Sequence, residues 1–543
     1  MPRNFLSALT LTLINIGCAA GISAVSVKKA IAAEEIYLNY GPLEFSLTVE
    51  ALEAYAQKGI IKDELQTYAG YLTPAQLETL KVGLTTSADL SHLAIAQFLY
   101  SYQGEKILER VGNVIQTKAY QSGFYAIRSA LILAAADEEA GGLTPLNVLR
   151  KFPTKGIRID SAKGFKIIED LSKILQKSNQ AISAVEAEAE TEAETVALVN
   201  KTNFPNLLRP GYIRYRKQLL TMRDRDRQRS FPVSLYIPDL LADRNNPLPL
   251  VVISHGLGSD RTTFEYFARH LATQGFAVAV PEHPGSNASQ IQNLLSGLDN
   301  DVTPPKELLD RPLDIQFLLD RLTEDYGKRI DTQNVGIIGQ SFGAYTALAL
   351  SGAELNFESL ERDCANLDES WNISLLLQCL ALELPYEPIP KLKDERIVAA
   401  IAINPLTSAL FGKESLKEID IPVMLVSGSA DPITPALSEQ IVPFTWLATE
   451  EKYLALLKGG THFSTLNESS GSIPVPERAI GPDPKIAQDY IKQLGLAFFG
   501  AYVTDNSAYR GYLNANYGNY LSNEQMPLSL VRSLEEANWQ LKP

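Results

Sequence analysis

Cysteine and histidine are scarce in this chain of 543 residues, which contains three of the former and five of the latter. Neither Cys364 nor Cys379 has a second ligand at the spacing typical of zinc-finger sites. The sequence therefore predicts no metal centre, and we expect the protein to work without a cofactor. The shortage of histidine also limits the search for a catalytic base to five positions.

Positive charge is in short supply as well. The chain has 49 Lys and Arg against 63 Asp and Glu, a formal net charge of −14, whereas nucleic-acid binding needs concentrated positive charge. We therefore exclude nucleic acid as a partner. The one basic run, from Arg209 to Arg229, contains Asp224 and Asp226. Mixed runs of this kind are typical of a solvated hairpin rather than of a surface for anionic lipids.

Apolar runs long enough to span a bilayer are absent from the sequence except near the N-terminus. There, Arg3 precedes an apolar stretch over about 5–27, and Ala30-Ile31-Ala32 offers a small-residue cleavage site. We expect residues 1–32 to be an export signal, either cleaved or kept as a membrane anchor. The protein is then periplasmic, lumenal or secreted.

Cys364 and Cys379 are the cysteines that remain after removal of such a signal. In an exported chain, two cysteines this close in sequence suggest one disulfide that closes a short loop. Two buried free thiols are the alternative.

The length of the chain exceeds what one hydrophobic core usually holds, so we expect two domains. Residues 34–200 carry helix-start signals such as Thr73-Pro74-Ala75-Gln76 and Leu143-Thr144-Pro145. These signals predict a separate all-helical (all-α) N-terminal domain, whose role the sequence does not indicate. Its last segment, from Ala184 to Ala197, alternates Glu and Ala, which is typical of a solvated helix or a charged linker.

Short aliphatic runs alternate with helical stretches over residues 205–543. This alternation predicts an α/β domain with a mostly parallel sheet covered by helices on both faces. An antiparallel hairpin near 213–219 and 233–237 precedes the parallel strands. Residues 353–396 interrupt the alternation; we expect a cap or lid over the active site there, with a surface excursion pinned by a disulfide as the alternative. The predicted parallel strands are Leu248–Ser254, Phe276–Val280, Val335–Ile338, Ile397–Ile403, Val423–Val426 and Tyr453–Leu457.

A glycine-flanked serine marks the candidate active site. The segment Gly339-Gln340-Ser341-Phe342-Gly343 follows the third parallel strand directly and opens a helical stretch. A strand-to-helix turn this sharp strains the serine backbone and leaves no room for side chains at Gly339 and Gly343. The pattern resembles the nucleophile elbow of α/β-hydrolases, so we predict that Ser341 is a nucleophile. A purely structural turn is the alternative.

Serine is a weak nucleophile by itself and needs a base and an orienting acid. This fold orders its triad as serine, acid and histidine. The order selects His462, the one histidine C-terminal to Ser341, as the base. Asp431 follows the fifth parallel strand and is the predicted acid. The alternative position, one strand earlier, holds Asn404, and an amide cannot stabilise an imidazolium as a carboxylate does.

Two backbone amides are needed to stabilise the negative charge that develops on the substrate oxygen. We predict the amide of Phe342, next to the nucleophile, and that of Leu257 in the glycine-rich loop His255-Gly256-Leu257-Gly258. His255 and His283 end their own strands. We expect them to line the site without taking the proton.

These motifs together resemble the platelet-activating-factor acetylhydrolase group of α/β-hydrolases over about 212–470. The resemblance implies an esterase that acts on short or modified acyl groups without a metal, with Leu257 and Phe342 as the oxyanion donors. Two positions depart from the group, since Gln340 replaces the histidine usual before the nucleophile and Asn404 occupies the usual acid position. The segments that carry the resemblance are Ser254 to Gly258, Gly275 to Val280, Glu282-His283 and Gly339 to Gly343.

The layout of a helical region before the hydrolase is also similar to a cyanobacterial group of two-domain α/β-hydrolases, whose N-terminal domain has no assigned function. The function that we predict is hydrolysis of a carboxylic ester, either an acyl lipid or a short-chain acyl ester, through an acyl-enzyme. An acyltransferase with the same triad and a lipid- or pigment-binding protein with an idle triad are the alternatives. The sequence does not indicate the oligomeric state.

Overall fold

The computed structural model describes residues 32–40, 43–195, 206–242, 245–365, 367, 370–385, 388–467 and 477–535. The predicted signal or anchor therefore lies outside the described residues, apart from residue 32. The chain divides into two compact units. One contains the described parts of Met1–Ile95 and Val111–Gly164, and the other those of Ala96–Arg110 and Phe165–Pro543. The stretch Ala96–Arg110 thus belongs to the second unit, as does the described chain from Phe165 onward.

The first unit contains a four-stranded sheet, so the prediction of an all-helical N-terminal domain is wrong. Its strand order is β2-β1-β4-β3, with β1 antiparallel to β2 and parallel to β4. Apolar residues alternate with polar ones over Leu43–Thr48, and this period of two is the signal of a strand. The strands are β1 (Glu35–Tyr40), β2 (Leu43–Thr48), β3 (Ile115–Thr117) and β4 (Gly156–Ile159).

The helices of this unit begin where their capping residues predict. Thr73 and Gln76 form a reciprocal capping box, and the side chain of Thr144 accepts a hydrogen bond from the backbone of Asn147. Gly59 ends the first helix with a φ of 68°, a conformation that glycine adopts without strain. The helices that lie in this unit or reach into it are Val49–Lys58, Asp63–Ala69, Pro74–Thr85, His92–Tyr100, Tyr102–Val114, Phe124–Ala135, Pro145–Lys151 and the 3₁₀ turn Glu138–Ala140.

The second unit is built on a sheet that has nine strands within the described residues, in the order β13-β12-β11-β10-β9-β7-β8-β6-β5. The central strands from β12 to β8 in this order run parallel, which confirms the predicted mostly parallel sheet. The predicted hairpin is present at one edge as β5 and β6. The strands are β5 (Tyr215–Asp224), β6 (Arg229–Pro238), β7 (Leu248–Ser254), β8 (Ala277–Pro281), β9 (Ile330–Gln340), β10 (Ile397–Ile403), β11 (Val423–Gly428), β12 (Lys452–Leu457) and β13 (Leu528–Val531).

Helices cover both faces of this sheet. Leu250 and Val252 of β7 belong to one buried cluster, and Val251 and Ile253 belong to another. Successive side chains of a strand point to opposite faces, so the two clusters are the two cores of a three-layer α/β unit. The helices of this unit are Ser161–Thr195, Glu265–Thr273, Ala288–Leu295, Glu307–Tyr326, Phe342–Leu350, Phe357–Cys364, Leu375–Gln378, Ser408–Leu416, Val442–Trp446, Glu477–Ile480, Pro484–Tyr502 and Ala515–Leu521.

The Glu- and Ala-rich segment forms the second half of the helix Ser161–Thr195. Ala181, Val185 and Ala189 recur every four residues, lie on one face and are buried in the same cluster as the sheet. The segment is therefore a helix with one apolar face and not a free linker. Among the described residues, no helix combines the length and the apolar character needed to cross a bilayer.

The insert at 353–396 packs against the body of the second unit. Its helix Phe357–Cys364 is joined to the following turns by a disulfide between Cys364 and Cys379. Leu376 and Leu380 are buried in the core cluster. The lid role of the insert stays a prediction.

Candidate active site

Ser341 lies at the junction between β9 and the helix Phe342–Leu350 with a φ of 55° and a ψ of −117°. A positive φ is uncommon for a residue with a side chain, and such strain persists only where the surrounding structure enforces it. A Cβ atom on Gly339 would lie 2.0 Å from the carbonyl oxygen of Gly343, and one on Gly343 would lie 2.1 Å from that of Ser254. Both contacts are with backbone, so only glycine fits at these two positions.

Asp431 and His462 form a buried pair. The Nδ1 atom of His462 lies 2.7 Å from Oδ2 of Asp431. The Oδ1 atom accepts hydrogen bonds from the amides of Ile433 at 2.7 Å and Thr434 at 2.9 Å, and the Thr434 hydroxyl donates to Oδ2 at 2.8 Å. Because an ionised carboxylate can only accept, Nδ1 of the imidazole carries the proton and the lone pair of Nε2 is left for a reacting group.

The histidine loop, which we define as Gly459–Phe463, returns from β12 towards the end of β9. The Nε2 atom of Gln340, which precedes Ser341, donates to the carbonyl oxygen of His462 at 3.1 Å. Within the described residues, the imidazole itself bonds to Asp431 and Thr434. Neither of these contacts is with the Ser341 hydroxyl, so the hydrogen bond between nucleophile and base stays a prediction; such bonds often tighten only in the complex with substrate.

The two predicted oxyanion amides lie in adjoining segments. Gly343 packs against the backbone oxygens of Ser254 and His255, which precede the loop that carries Leu257. Among the described residues, neither the amide of Leu257 nor that of Phe342 donates a hydrogen bond to the backbone. Phe342 also begins a helix, whose free amides and dipole favour a negative charge.

His255 and His283 brace the glycine-rich loop through both nitrogens of each ring. His283 bonds to Asp314 at 2.9 Å and to the Ser254 hydroxyl at 3.1 Å. His255 donates from Nδ1 to the Gly256 carbonyl at 2.8 Å, and its Nε2 accepts the His283 amide at 3.0 Å. Burial, with a neighbouring guanidinium second, lowers the pKa of both rings well below the usual value. Two neutral rings with no free nitrogen cannot take the proton of a nucleophile.

Arg311 is a residue of this region that the sequence analysis missed. It is fully buried, and its guanidinium donates to the His255 carbonyl and, at 2.8 Å, to the Ser286 hydroxyl. The same group lies 4.5 Å over the ring of Phe342, so Arg311 contacts both segments that carry the predicted oxyanion amides. Its spacing from Leu308 and Ile315 puts a charge on the apolar stripe of its helix, which is the signal that could have revealed it.

The basic run forms the predicted hairpin, but two of its arginines are turned inward. Arg227 and Arg229 lie 3.0 Å and 2.8 Å from Asp314, and Arg229 also lies 2.7 Å from Glu307. The prediction of a wholly solvated hairpin is therefore wrong. Buried charges survive only when paired and hydrogen-bonded, and Asp314 has two arginines and His283 as partners.

Comparisons with known proteins give partial matches. The family described as "alpha/beta hydrolase of unknown function" matches residues 32–160, and the family of platelet-activating factor acetylhydrolase, isoform II, matches 235–302. The chain thus resembles α/β-hydrolases, and its sheet fits their fold. The first match covers most of the first unit together with Ala96–Arg110 of the second, and the second match covers the glycine-rich loop with His255 and His283. Neither match includes Ser341.

One curated relative is platelet-activating factor acetylhydrolase from the dog, Canis lupus familiaris. It is 26% identical over 186 aligned residues, a region that makes up 25% of this chain and 39% of the relative. The chain therefore spans well under half the length of the curated relative that it matches.

Proposed function

We propose that this protein is a serine hydrolase that cleaves carboxylic esters through an acyl-enzyme intermediate. The observation that carries the proposal is the buried Asp431–His462 pair. Gln340, the residue before the strained Ser341, donates a hydrogen bond to the carbonyl of His462 and so connects the pair to the serine turn. An imidazole held in the Nδ1-protonated form, on a loop bonded to the residue before a strained serine, supports nucleophilic acyl transfer.

In this mechanism the hydroxyl of Ser341 attacks the ester carbonyl while Nε2 of His462 takes its proton. Asp431 stabilises the imidazolium, and the amides of Leu257 and Phe342 donate to the tetrahedral oxyanion. His462 then protonates the leaving alcohol, which departs and leaves the acyl group on Ser341. A water molecule, activated by the same imidazole, releases the acid and restores the enzyme.

The resemblance to an acetylhydrolase supports an ester with a short or modified acyl group as the substrate, and an acyl lipid fits the same chemistry. The proposal includes the insert at 353–396 as a lid over Ser341. It also includes export of the protein, with residues 1–32 as the signal or membrane anchor.

The test compares the wild type with Ser341→Ala on p-nitrophenyl esters from acetyl to palmitoyl. Loss of the nucleophile should lower kcat by about 10⁴-fold or more. Ser351→Ala is the matched control, because Ser351 is a buried serine of the same region whose hydroxyl donates to the Ala347 carbonyl; it should keep its activity. Hydrolysis by Ser341→Ala at the wild-type rate would reject the proposal. Product analysis with and without an acceptor alcohol distinguishes hydrolysis, which releases the free acid, from acyl transfer, which forms a new ester.

A further inference from the structure

Two buried amide side chains hold consecutive carbonyl groups of the histidine loop. Gln340 ends β9, and its Nε2 atom donates to the His462 carbonyl at 3.1 Å. Asn404 follows β10 directly, and its Nδ2 atom donates to the Thr461 carbonyl at 3.3 Å. Both side chains come from residues that are 2% exposed, so water does not compete for these bonds.

The oxygen of each amide faces a different functional segment. The Oδ1 atom of Asn404 accepts the amide of Gly428 at 2.9 Å, and Gly428 ends β11, three residues before Asp431. The Oε1 atom of Gln340 packs against Gly256, where a Cβ atom would lie only 2.3 Å away. Asn404 thus joins the histidine loop to the segment that leads to Asp431, and Gln340 joins the same loop to the glycine-rich loop.

The backbone of Asn404 strengthens the first link. Its φ is 45°, a left-handed conformation that asparagine tolerates better than most residues. Its carbonyl oxygen lies 3.3 Å from the hydroxyl oxygen of Thr434, whose single proton is donated to Asp431 at 2.8 Å. Asn404 therefore contacts both the loop of the base and the turn of the acid.

We propose that Gln340 and Asn404, which we call the amide clamp, are positioning residues that set the His462 ring relative to Ser341 and Asp431. This inference rests on the proposed function. Asn404 uses both functions of an amide, since it donates to the Thr461 carbonyl and accepts the Gly428 amide, and Gln340 needs its NH₂ group to donate to the His462 carbonyl. A carboxylate there would turn an oxygen towards the carbonyl oxygen of the loop and bury an unpaired charge. Asn404 is thus a structural requirement and not a spare position for the acid.

The test uses Asn404→Asp and Gln340→Glu, which preserve the shape of each side chain but replace the NH₂ donor with a carboxylate oxygen. A displacement of the base by about 1 Å costs on the order of 10²-fold in rate. We expect kcat to fall by about that factor at pH 7 with KM within about twofold of the wild type. Kinetic constants equal to the wild type in both variants would overturn the clamp.

Matched controls separate positioning from a general loss of stability. Asn147 is a buried asparagine whose Nδ2 atom also donates to backbone carbonyls, and Gln493 is a buried glutamine whose Nε2 atom donates to the Asp489 carbonyl at 3.2 Å. Asn147→Asp and Gln493→Glu should lower Tm as much as the clamp variants do but keep kcat. An equal loss of kcat in the controls would overturn the inference.

A double variant decides whether position 404 can serve as the acid. Asp431→Asn combined with Asn404→Asp should be no more active than Asp431→Asn alone, because the new carboxylate faces the Thr461 carbonyl instead of the imidazole. Recovery of more than about tenfold would show that the position holds an alternative acid, against the clamp.

A readout without turnover distinguishes failure of the clamp from failure of the proposed function. Protein labelled with ¹⁵N-histidine reports the tautomer of each ring, and the His462 signal is assigned by its loss in His462→Gln. The wild type should show a fixed Nδ1-protonated ring, and Asn404→Asp should shift the signal towards that of a free imidazole. An unchanged signal refutes the clamp. A wild type that neither hydrolyses esters nor reacts with a fluorophosphonate refutes the proposed function, while the ring signals still decide the clamp.

Discussion

Replacement of Asp431 by asparagine should abolish nearly all turnover while the fold is kept. The reason lies in the direction that the new amide must face. The amides of Ile433 and Thr434 both donate to Oδ1 of Asp431, so the oxygen of an asparagine has to stay on that side. Its NH₂ group then occupies the Oδ2 position, 2.7 Å from Nδ1 of His462.

Two donors cannot share one hydrogen bond, so the imidazole must accept at Nδ1 and carry its proton on Nε2. In that tautomer it cannot take the proton of Ser341. The expected fall in kcat is on the order of 10⁴-fold, equivalent to about 5.4 kcal/mol at 1.36 kcal/mol for each factor of ten. The turn keeps both backbone hydrogen bonds, so Tm should change little.

The assay is kcat on the p-nitrophenyl ester that the wild type prefers, with Tm measured on the same samples. Asp331→Asn is the matched control, because Asp331 Oδ1 accepts the amides of Gln333 and Asn334, two and three residues on, in the same pattern as Asp431. It lies at the opposite end of β9 from Ser341 and should keep full activity. A kcat for Asp431→Asn within tenfold of the wild type would refute the assignment of the acid.

Three further predictions concern stability. Gly343→Ala places a Cβ atom 2.1 Å from the Ser254 carbonyl oxygen, so the turn must open, and we expect a lower Tm and loss of esterase activity. Gly83→Ala is the control and should keep both, because nothing lies within 4 Å of a Cβ atom there. Joint replacement of Cys364 and Cys379 by serine opens a loop with a sequence separation of 15 and should cost up to about 3 kcal/mol in urea unfolding; an unchanged midpoint would contradict this. Burial, with Lys492 second, lowers the pKa of His270 from 6.5 to about 4. The unfolded chain therefore binds this proton more readily, and the stability present above pH 6.5 falls by about 2 kcal/mol between pH 7 and 5. His270→Gln should reduce that pH dependence and the exposed His92→Gln should not.

The parallel sheet could be predicted because each of its central strands is a continuous aliphatic run. Such strands are buried on both faces, and the helices between them show an apolar stripe. The predictions of Ser341 as nucleophile and His462 as base rest on their order in the chain and on the glycines around them. The choice of Asp431 over Asn404 followed from side-chain chemistry alone, but the contacts that make Asn404 useful involve Thr461 and Gly428, which are distant in sequence.

The sheet of the first unit could be predicted only in part. The alternation in β2 is visible in the sequence. In contrast, β3 has three residues and β4 has four, too few to show a period. The strand β4 pairs parallel to β1, with Glu35 opposite Gly156, and pairing across more than a hundred residues leaves no local pattern. The helix-start signals are local, which is why the helices were predicted and most of the sheet was not.

The charges around the glycine-rich loop show a different limit of sequence reasoning. Glu307, Asp310 and Asp314 recur every three or four residues and so lie on one face of their helix. This spacing predicts that basic residues pair with them, but it does not predict that the ion pairs are buried. Asp314 is buried and pairs with Arg227 and Arg229 of the hairpin and with His283. His283 in turn bonds to His255 of the glycine-rich loop that carries Leu257. A substitution of either hairpin arginine is therefore expected to affect Leu257, whose amide is the proposed oxyanion donor, although neither arginine is near Ser341 in sequence.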